Sequence, residues 1–466
     1  MRKITLLLTI CFVVGYVLPS LGQFETSLHK TRNGKPTWYN SENGGFETLT
    51  GVPIEDLGCV SCHPSDGLNA NGDPVPNPYE PTCEDCHATN TPPAPGPVTE
   101  DECLGCHGRE QAIITMGKED VHRSAGMECM DCHENTDMHG DGNEYDSMFE
   151  LGAISTDCSN SGCHAGFSHP AQDPHGGALH CTSCHASTNL ACYNCHFESQ
   201  VLSHVKRAKQ QITGFQILVN REKDGKVHPA TFQSLSYEGN TWIAMGPSVA
   251  HTIVKTGART CTDCHANPPY NGDIEAINDW NADGIIQFAS WDSSDSTLSW
   301  LQGIVPLPID YQRSFKLDFI TYNGDPSDPP GPSKNWSFVK GEADGFQLLY
   351  ATPLTTTQMS KLGMDTNLVS IRPVTGELPN DFRLDQNYPN PFNPATTIRF
   401  SLPERSHVEL VIYDALGDHV ETLVNGEQEA GVYEVEFNAR GLASGVYFYH
   451  IKSNSYTSTK KLVLMK

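Results

Sequence analysis

Sixteen cysteines crowd between positions 59 and 264, and each belongs to a pair followed at once by histidine. Seven pairs read Cys-x-x-Cys-His: Cys59/Cys62/His63, Cys83/Cys86/His87, Cys103/Cys106/His107, Cys129/Cys132/His133, Cys181/Cys184/His185, Cys192/Cys195/His196 and Cys261/Cys264/His265. An eighth, Cys158/Cys163/His164 in "CSNSGCH", has four residues between its cysteines. An even cysteine count in an exported chain ordinarily signals disulfides, but a disulfide makes no demand on the residue after the second cysteine. The recurring histidine does.

Cys-x-x-Cys-His is the attachment sequence of haem c: two thiols add to the haem vinyl groups, and the tethered imidazole becomes the proximal iron ligand. Zinc is the competing reading, since paired Cys and His also build tetrahedral sites, but so many copies of one motif argue against it. The longer loop of Cys158/Cys163/His164 can bulge outward without moving its ends, helped by Gly162. The competing reading is a local disulfide beside a chance histidine; haem at this site lets one rule use every cysteine after the signal. Eight haems c are therefore expected. Eight sites in residues 23–270 leave about 31 residues each, too few for conventional side-chain cores. The sequence predicts an octahaem domain over 23–270 with a multihaem cytochrome c fold: little regular secondary structure, short helices and Gly/Pro-rich loops around stacked haems.

A second axial histidine closes an iron to substrate, so histidines outside the motifs decide between electron carrier and enzyme. Residues 23–270 hold nine: His29, His122, His139, His169, His175, His180, His204, His228 and His251; the residues after 270 hold three. All but His228 are candidate distal ligands, and His228, in the strand-like "GKVHPATFQSL", is the expected spare. No catalytic residue can be read. Cys-x-x-Cys-Lys, which marks the active haem of multihaem nitrite reductases, does not occur.

Residues 1–22 predict a secretory signal, with Arg2 and Lys3 before an apolar run too short for the ~18 residues of a membrane span. The formal charge is −26, and residues 386–466 hold seven Lys/Arg against nine Asp/Glu, so the acidity lies before them. That excludes nucleic acid as a partner and favours basic redox proteins or neutral and cationic acceptors. In "DWNADGII", Asp279, Asn281 and Asp283 fit either the first half of a calcium loop or an Asx-rich surface turn. "GFQILVN" and "ATFQSLSYEGNTWIAM", with a turn at Asp224-Gly225, predict a β-hairpin or meander. Residues 271–370, with Trp280, Trp291, Trp300 and Trp336 and neither Cys nor His, read as a mainly β module without haem, followed by a linker over 371–385.

From 386 onward, alternating apolar residues predict strands near 396–402, 407–413, 419–424, 432–437, 445–452 and 457–465, an Ig-like β-sandwich. "QNYPNPFNP" at 386–394, Gly445-Val446-Tyr447 and the lysine-rich last strand resemble the type A sorting domain of the type IX secretion system. That resemblance implies passage across the outer membrane by the secretion machinery, to the cell surface or beyond. Residues 23–270 similarly resemble class III and octahaem c-type cytochromes, a group that includes tetrathionate reductase. The expected function is electron transfer along closely packed bis-His haems outside the cell. The alternative is a multihaem oxidoreductase of a sulfur or nitrogen compound, with one open haem.

Overall fold

The computed structural model describes residues 23–57, 68–75, 79–88, 98–160, 162–164, 174–197, 201, 210–249, 251–324, 335–369, 371–374, 379–428, 430–439, 442–454 and 456–465. The expected signal, 1–22, lies outside them. From Leu28 to His185 the helices are short, the longest being Gly108–Thr115. Several end at once on a glycine in the left-handed region, as at Gly44 and Gly51, where a side chain would be strained.

Strand then takes over. β1 is Ala191–His196, β2 Gln210–Ile212, β3 Phe215–Arg221, β4 Val227–Tyr237 and β5 Asn240–Pro247. After 270 follow β6 (Ile286–Asp292), β7 (Thr297–Trp300), β8 (Gly303–Pro306), β9 (Phe315–Leu317), β10 (Phe319–Tyr322), β11 (Trp336–Lys340), β12 (Gly345–Leu348) and β13 (Ala351–Thr352). An eight-stranded sheet runs β12-β5-β4-β1-β2, with β3 joined to β4, β8 and β13. One edge of β4 is shared: Val227–Ala230 pairs antiparallel with β3, and Gln233–Ser236 pairs parallel with β1. The predicted hairpin forms, with Asp224 in its turn accepting from the Lys226 amide at 3.2 Å.

This sheet overturns the expected fold. Residues 191–247 do not wrap a haem stack with loops. They form a β-layer whose core is made of side chains: Phe215, Ile217, Phe232 and Met245 are buried together with Trp280 and Phe288. The reason is that β3, β4 and β5 are buried on both faces, as in a sheet covered on both sides, and β8, β12 and β13 complete it from beyond residue 270. Trp280, on the helix Glu275–Asp283, is fully buried and donates its indole N–H to the Asp365 carbonyl at 3.0 Å.

The tail adds β14 (Ile371–Val374), β15 (Arg383–Leu384), β16 (Ala395–Leu402), β17 (Ser406–Tyr413), β18 (His419–Gln428), β19 (Gly431–Asn438), β20 (Gly445–Ser453) and β21 (Tyr456–Leu464). Two four-stranded sheets, β14-β19-β16-β15 and β18-β17-β20-β21, pack as a sandwich. Alternate residues point inward, as in Ile398/Phe400/Leu402 and Val408/Leu410/Ile412, because successive side chains on a strand face opposite ways. Among the described residues no helix is long and apolar enough to cross a membrane.

Candidate haem-binding centre

Most motifs share one local shape, built from hydrogen bonds the sequence supplies. Thr82, Glu128 and Thr260 precede the first cysteine, and Asp85, Asp131 and Asp263 precede the second; each couple closes a capping box over a single 3-10 turn. That satisfies the orphan amides of the turn. It also brings the histidine amide onto the carbonyl of the first cysteine: His87 to Cys83 at 2.9 Å, His133 to Cys129 at 3.0 Å and His265 to Cys261 at 2.9 Å. Thr99 and Glu102 cap the helix Glu100–Cys106 in the same way, and Cys181–His185 is itself a helical turn.

The long motif keeps the same closure. His164 donates its amide to the Cys158 carbonyl at 3.2 Å, so the two extra residues are absorbed inside the loop. Gly162 there has φ +94° with open space around it. The motif Cys192–His196 differs, since it lies along β1. A bulge against β4 between Cys192 and Cys195, with Asn194 at φ +46°, takes up its spacing.

Five motif histidines face a histidine from elsewhere in the chain. Ring centres lie 6.1 Å apart for His107 and His29, 6.0 Å for His87 and His139, 6.2 Å for His164 and His122, 6.2 Å for His133 and His251, and 6.0 Å for His265 and His175. The angles between ring planes are 63°, 16°, 65°, 50° and 13° in that order. Other ring pairs in the chain reach 6.0–6.2 Å at angles from 16° to 81°, so what sets these five apart is that each joins a motif histidine to a histidine outside the motifs. The separation is also one that two imidazoles on opposite sides of one metal would adopt. A metal–nitrogen bond of ~2 Å, with the ring centre ~1.1 Å beyond, sets them ~6.2 Å apart and leaves rotation about the axis free. His180 and His228 supply the contrast, stacked at 4.1 Å and 19°.

The other ring nitrogen is hydrogen-bonded in His133, His139 and His265 and lies within 4.0 Å of a carboxylate in His107, His122 and His251, which leaves Nε2 of these rings the free ligating atom. His265 Nδ1 donates to the Lys361 carbonyl at 2.7 Å, and His133 Nδ1 to Asp137 Oδ2 at 3.2 Å. Asn135 Oδ1 accepts from His139 Nδ1. Asp120 lies 3.4 Å from His122 Nδ1, and Glu110 lies 4.0 Å and 3.8 Å from the Nδ1 atoms of His107 and His251. His185 Nδ1 donates to the Val254 carbonyl at 3.0 Å. Burial, then the nearby His107, lowers the His29 ring to about 4, so it is neutral and able to ligate at pH 7. Sequence reasoning missed these partners, although Asp and Asn four residues apart from a histidine on one helical turn are a visible signal.

The motifs are also strung together. The thiols of Cys103 and Cys129, and of Cys158 and Cys181, are close enough to perturb each other's ionisation. The thiols of Cys86 and Cys106, Cys132 and Cys163, and Cys184 and Cys264 lie within electrostatic range of each other. Six motifs thus follow one another through space, from Cys83/Cys86 to Cys261/Cys264, in pairs that alternate second cysteine to second and first to first.

Other candidates fall elsewhere. His180 stacks on His228 instead of facing a motif histidine, with its Nε2 3.5 Å from Asp157. His228 is buried and donates to Asp224 at 2.9 Å. Asp279, Asn281 and Asp283 do not form a loop: they lie on the helix Glu275–Asp283, and Asn281 bridges the Gly363 carbonyl and the Asp365 amide at 2.9 and 2.7 Å. Cys59, Cys62, His63, His169 and His204 lie outside the described residues, as do the side chains of Cys195 and His196. Among the described residues, motif cysteines are free of disulfides, and no three Cys, His, Asp or Glu side chains converge as a tetrahedral zinc site requires.

Comparison with known proteins identifies the tail. Residues 386–465 match the family of secretion system C-terminal sorting domains; they are such a domain, and it takes the protein across the outer membrane to the cell surface or the extracellular space. No curated protein matches the chain. Among solved structures, the chain is similar to PorZ of Porphyromonas gingivalis, an essential bacterial surface component of the type-IX secretion system. The identity is 21% over 19% of this chain and 12% of that one, with a TM-score of 0.14. The chain thus spans about an eighth of PorZ's length.

Proposed function

We propose that the protein is an exported octahaem c-type cytochrome that passes electrons between the cell and an external partner. The observation that carries this reading is the set of five histidine pairs at 6.0–6.2 Å, each joining the histidine of a Cys-Cys-His motif to a distal one. Haem c at such a position supplies an iron that alternates between ferric and ferrous states. The protein's own residues do the rest. Each cysteine pair would tether the group, and the following histidine and its partner would hold its iron. Carbonyls and carboxylates on Nδ1 orient the rings. Closed axial positions favour electron carriage over substrate chemistry, and the sequential contact of neighbouring motifs keeps the tethered groups close. An N-terminal secretory signal would deliver the chain to the periplasm for haem attachment, ahead of transport by the type IX machinery. The acidity before residue 386 suits a basic protein or a neutral or cationic acceptor.

The test is mass spectrometry and absorption spectroscopy of the protein produced with a cytochrome c maturation system. Eight haem additions and uniformly low-spin iron are the expected result. Zinc in place of haem overturns the reading, and seven haems with a Cys158–Cys163 disulfide removes the fifth site. A high-spin iron that shifts on adding tetrathionate, nitrite or hydroxylamine would instead support the oxidoreductase.

A further inference from the structure

The charge of the sorting sandwich is divided along one of its sheets. All nine Asp/Glu of residues 386–466 lie between Glu404 and Glu436, while residues 437–466 hold five Lys/Arg and neither Asp nor Glu, in a chain whose formal charge is −26. That acid-free stretch builds β20 and β21, neighbours at one side of the sheet β18-β17-β20-β21. Tyr447, Tyr449 and Ile451 of β20 are buried between the sheets, so Val446, Phe448 and Lys452 face outward. The register sets Val446 beside Val463, Phe448 beside Lys461 and Lys452 beside Thr457. Val446 is 39% exposed, Met465 just past the strand is 57% exposed, and Lys452 and Lys461 are both exposed. The tail's ion pairs among the described residues use Arg383, Arg399 and Arg405, and neither Lys452 nor Lys461 enters one. Glu409 of β17 stands opposite Lys452, where the basic half of the sheet ends.

β21 is an edge strand, and an open edge invites a partner to add a strand of its own. Here much of that edge is occupied from within the chain. The Lys461 carbonyl accepts from the Gln386 and Asn390 side-chain amides at 2.8 and 3.2 Å, and the Val463 amide donates to Asn390 Oδ1 at 2.9 Å. The Phe392 amide donates to the Val463 carbonyl at 2.9 Å, and the Phe392 carbonyl accepts from the Met465 amide at 3.0 Å. The segment "QNYPNPFNP" therefore closes the edge from Lys461 to Met465. What β20 and β21 present there is side chains.

We infer that the outer face of β20 and β21, centred on Val446, Val463 and Lys461 with Lys452 at its rim, is where an acidic, apolar-centred protein of the secretion machinery docks on the sorting domain, through side chains and not by strand addition. The inference stands on the sorting domain and not on the haem reading. Membership of the sorting family makes a machinery protein the occupant, and the charge of the face makes that protein acidic. Opposite charges at a rim steer the encounter and fix its orientation, while exposed valines give up apolar area at the centre. The acidity that lies before residue 386 is repelled by the same partner, so the chain meets it tail first.

The test is export of the full-length protein in a bacterium with a type IX system, read as the ratio of surface and extracellular protein to periplasmic protein, with thermal melting of each purified variant as the control for folding. Lys461→Glu and Val446→Asp each put a negative charge on the face and lower that ratio about tenfold. Lys461→Arg keeps the wild-type ratio, and so does Glu436→Lys, exposed on β19 in the other sheet. Wild-type export of the Val446→Asp/Lys461→Glu double variant overturns the inference, as does an equal loss in Glu436→Lys. If Val446→Asp lowers the melting temperature, Lys461→Glu decides alone, since its side chain is exposed. Binding of the purified wild-type protein to vesicles of phosphatidylcholine and phosphatidylglycerol, abolished by Lys461→Glu, overturns the inference in favour of an anionic lipid surface.

Discussion

Replacing one distal histidine tests the pairing most directly, because the structure says which pair breaks and what kind of signal goes with it. The orbitals of a low-spin ferric iron that point between its axial ligands are split by alignment of the two imidazole planes. Nearly parallel planes separate them and give a rhombic resonance; crossed planes leave them close in energy and give a strongly anisotropic one. With haem iron between them, as proposed, His175–His265 and His139–His87, at 13° and 16°, would belong to the first class. His29–His107, His122–His164 and His251–His133, at 63°, 65° and 50°, would belong to the second. With eight motifs in the chain, His175→Ala converts one eighth of the iron to high spin and halves the part of the rhombic signal owed to these two pairs. His122→Ala also opens one eighth but takes its loss from the anisotropic class. Electron paramagnetic resonance at low temperature, integrated against the haem count, reads both. Loss from the same class in both variants, or no high-spin iron in either, refutes the pairing.

Deleting residues 386–466 leaves the protein in the periplasm, with haem attachment intact, as fractionation and haem staining will check. Trp280→Ala costs about 3–5 kcal/mol for a fully buried indole, with about 1 kcal/mol more from the orphaned Asp365 carbonyl; chemical denaturation measures it, and a cost below about 1 kcal/mol is incompatible with the packing described. Asp224→Asn costs about 1–3 kcal/mol at pH 7, because the carboxylate accepts from both Arg221 and His228. Burial works against the Asp224 charge, but those hydrogen bonds win and hold its carboxyl well below the usual range. A carboxyl depressed on folding stabilises above its unfolded pKa of ~4 and loses that contribution as the pH falls toward its folded value. The gap between wild type and variant in thermal melts therefore closes in acid, and a gap that widens there contradicts the assignment.

The sorting sandwich was legible in detail: the predicted strand at 396–402 became Ala395–Leu402, and that at 432–437 became Gly431–Asn438. Two-residue alternation is a local code, and it survives because each strand needs only one buried face. The eight motifs are visible in the sequence as two cysteines and a histidine at short spacing, and haem at them is the proposal above. His29, His122, His139, His175 and His251 could be nominated as ligands from their density alone, but not paired. His29 reaches His107, and His139 reaches back to His87. Such partners are set by how loops fold over one another, on which spacing is silent. The same blindness left open whether the oxygen-rich Asp279, Asn281 and Asp283 sit in a loop or, as they do, on the last turns of a helix, and misread the fold of 191–247.

What the sequence alone determined about this protein is its run of Cys-Cys-His motifs and its address. The Cys-Cys-His spacing is decided within a few residues, and the tail strands within one sandwich. The tertiary structure decided what lies across space: the eight-stranded sheet joining residues on both sides of 270, the order of neighbouring motifs, the axis shared by each histidine pair and the carboxylate held against His133. These depend on contacts between residues tens to hundreds of positions apart, and they are fixed by packing and hydrogen bonding of the whole chain.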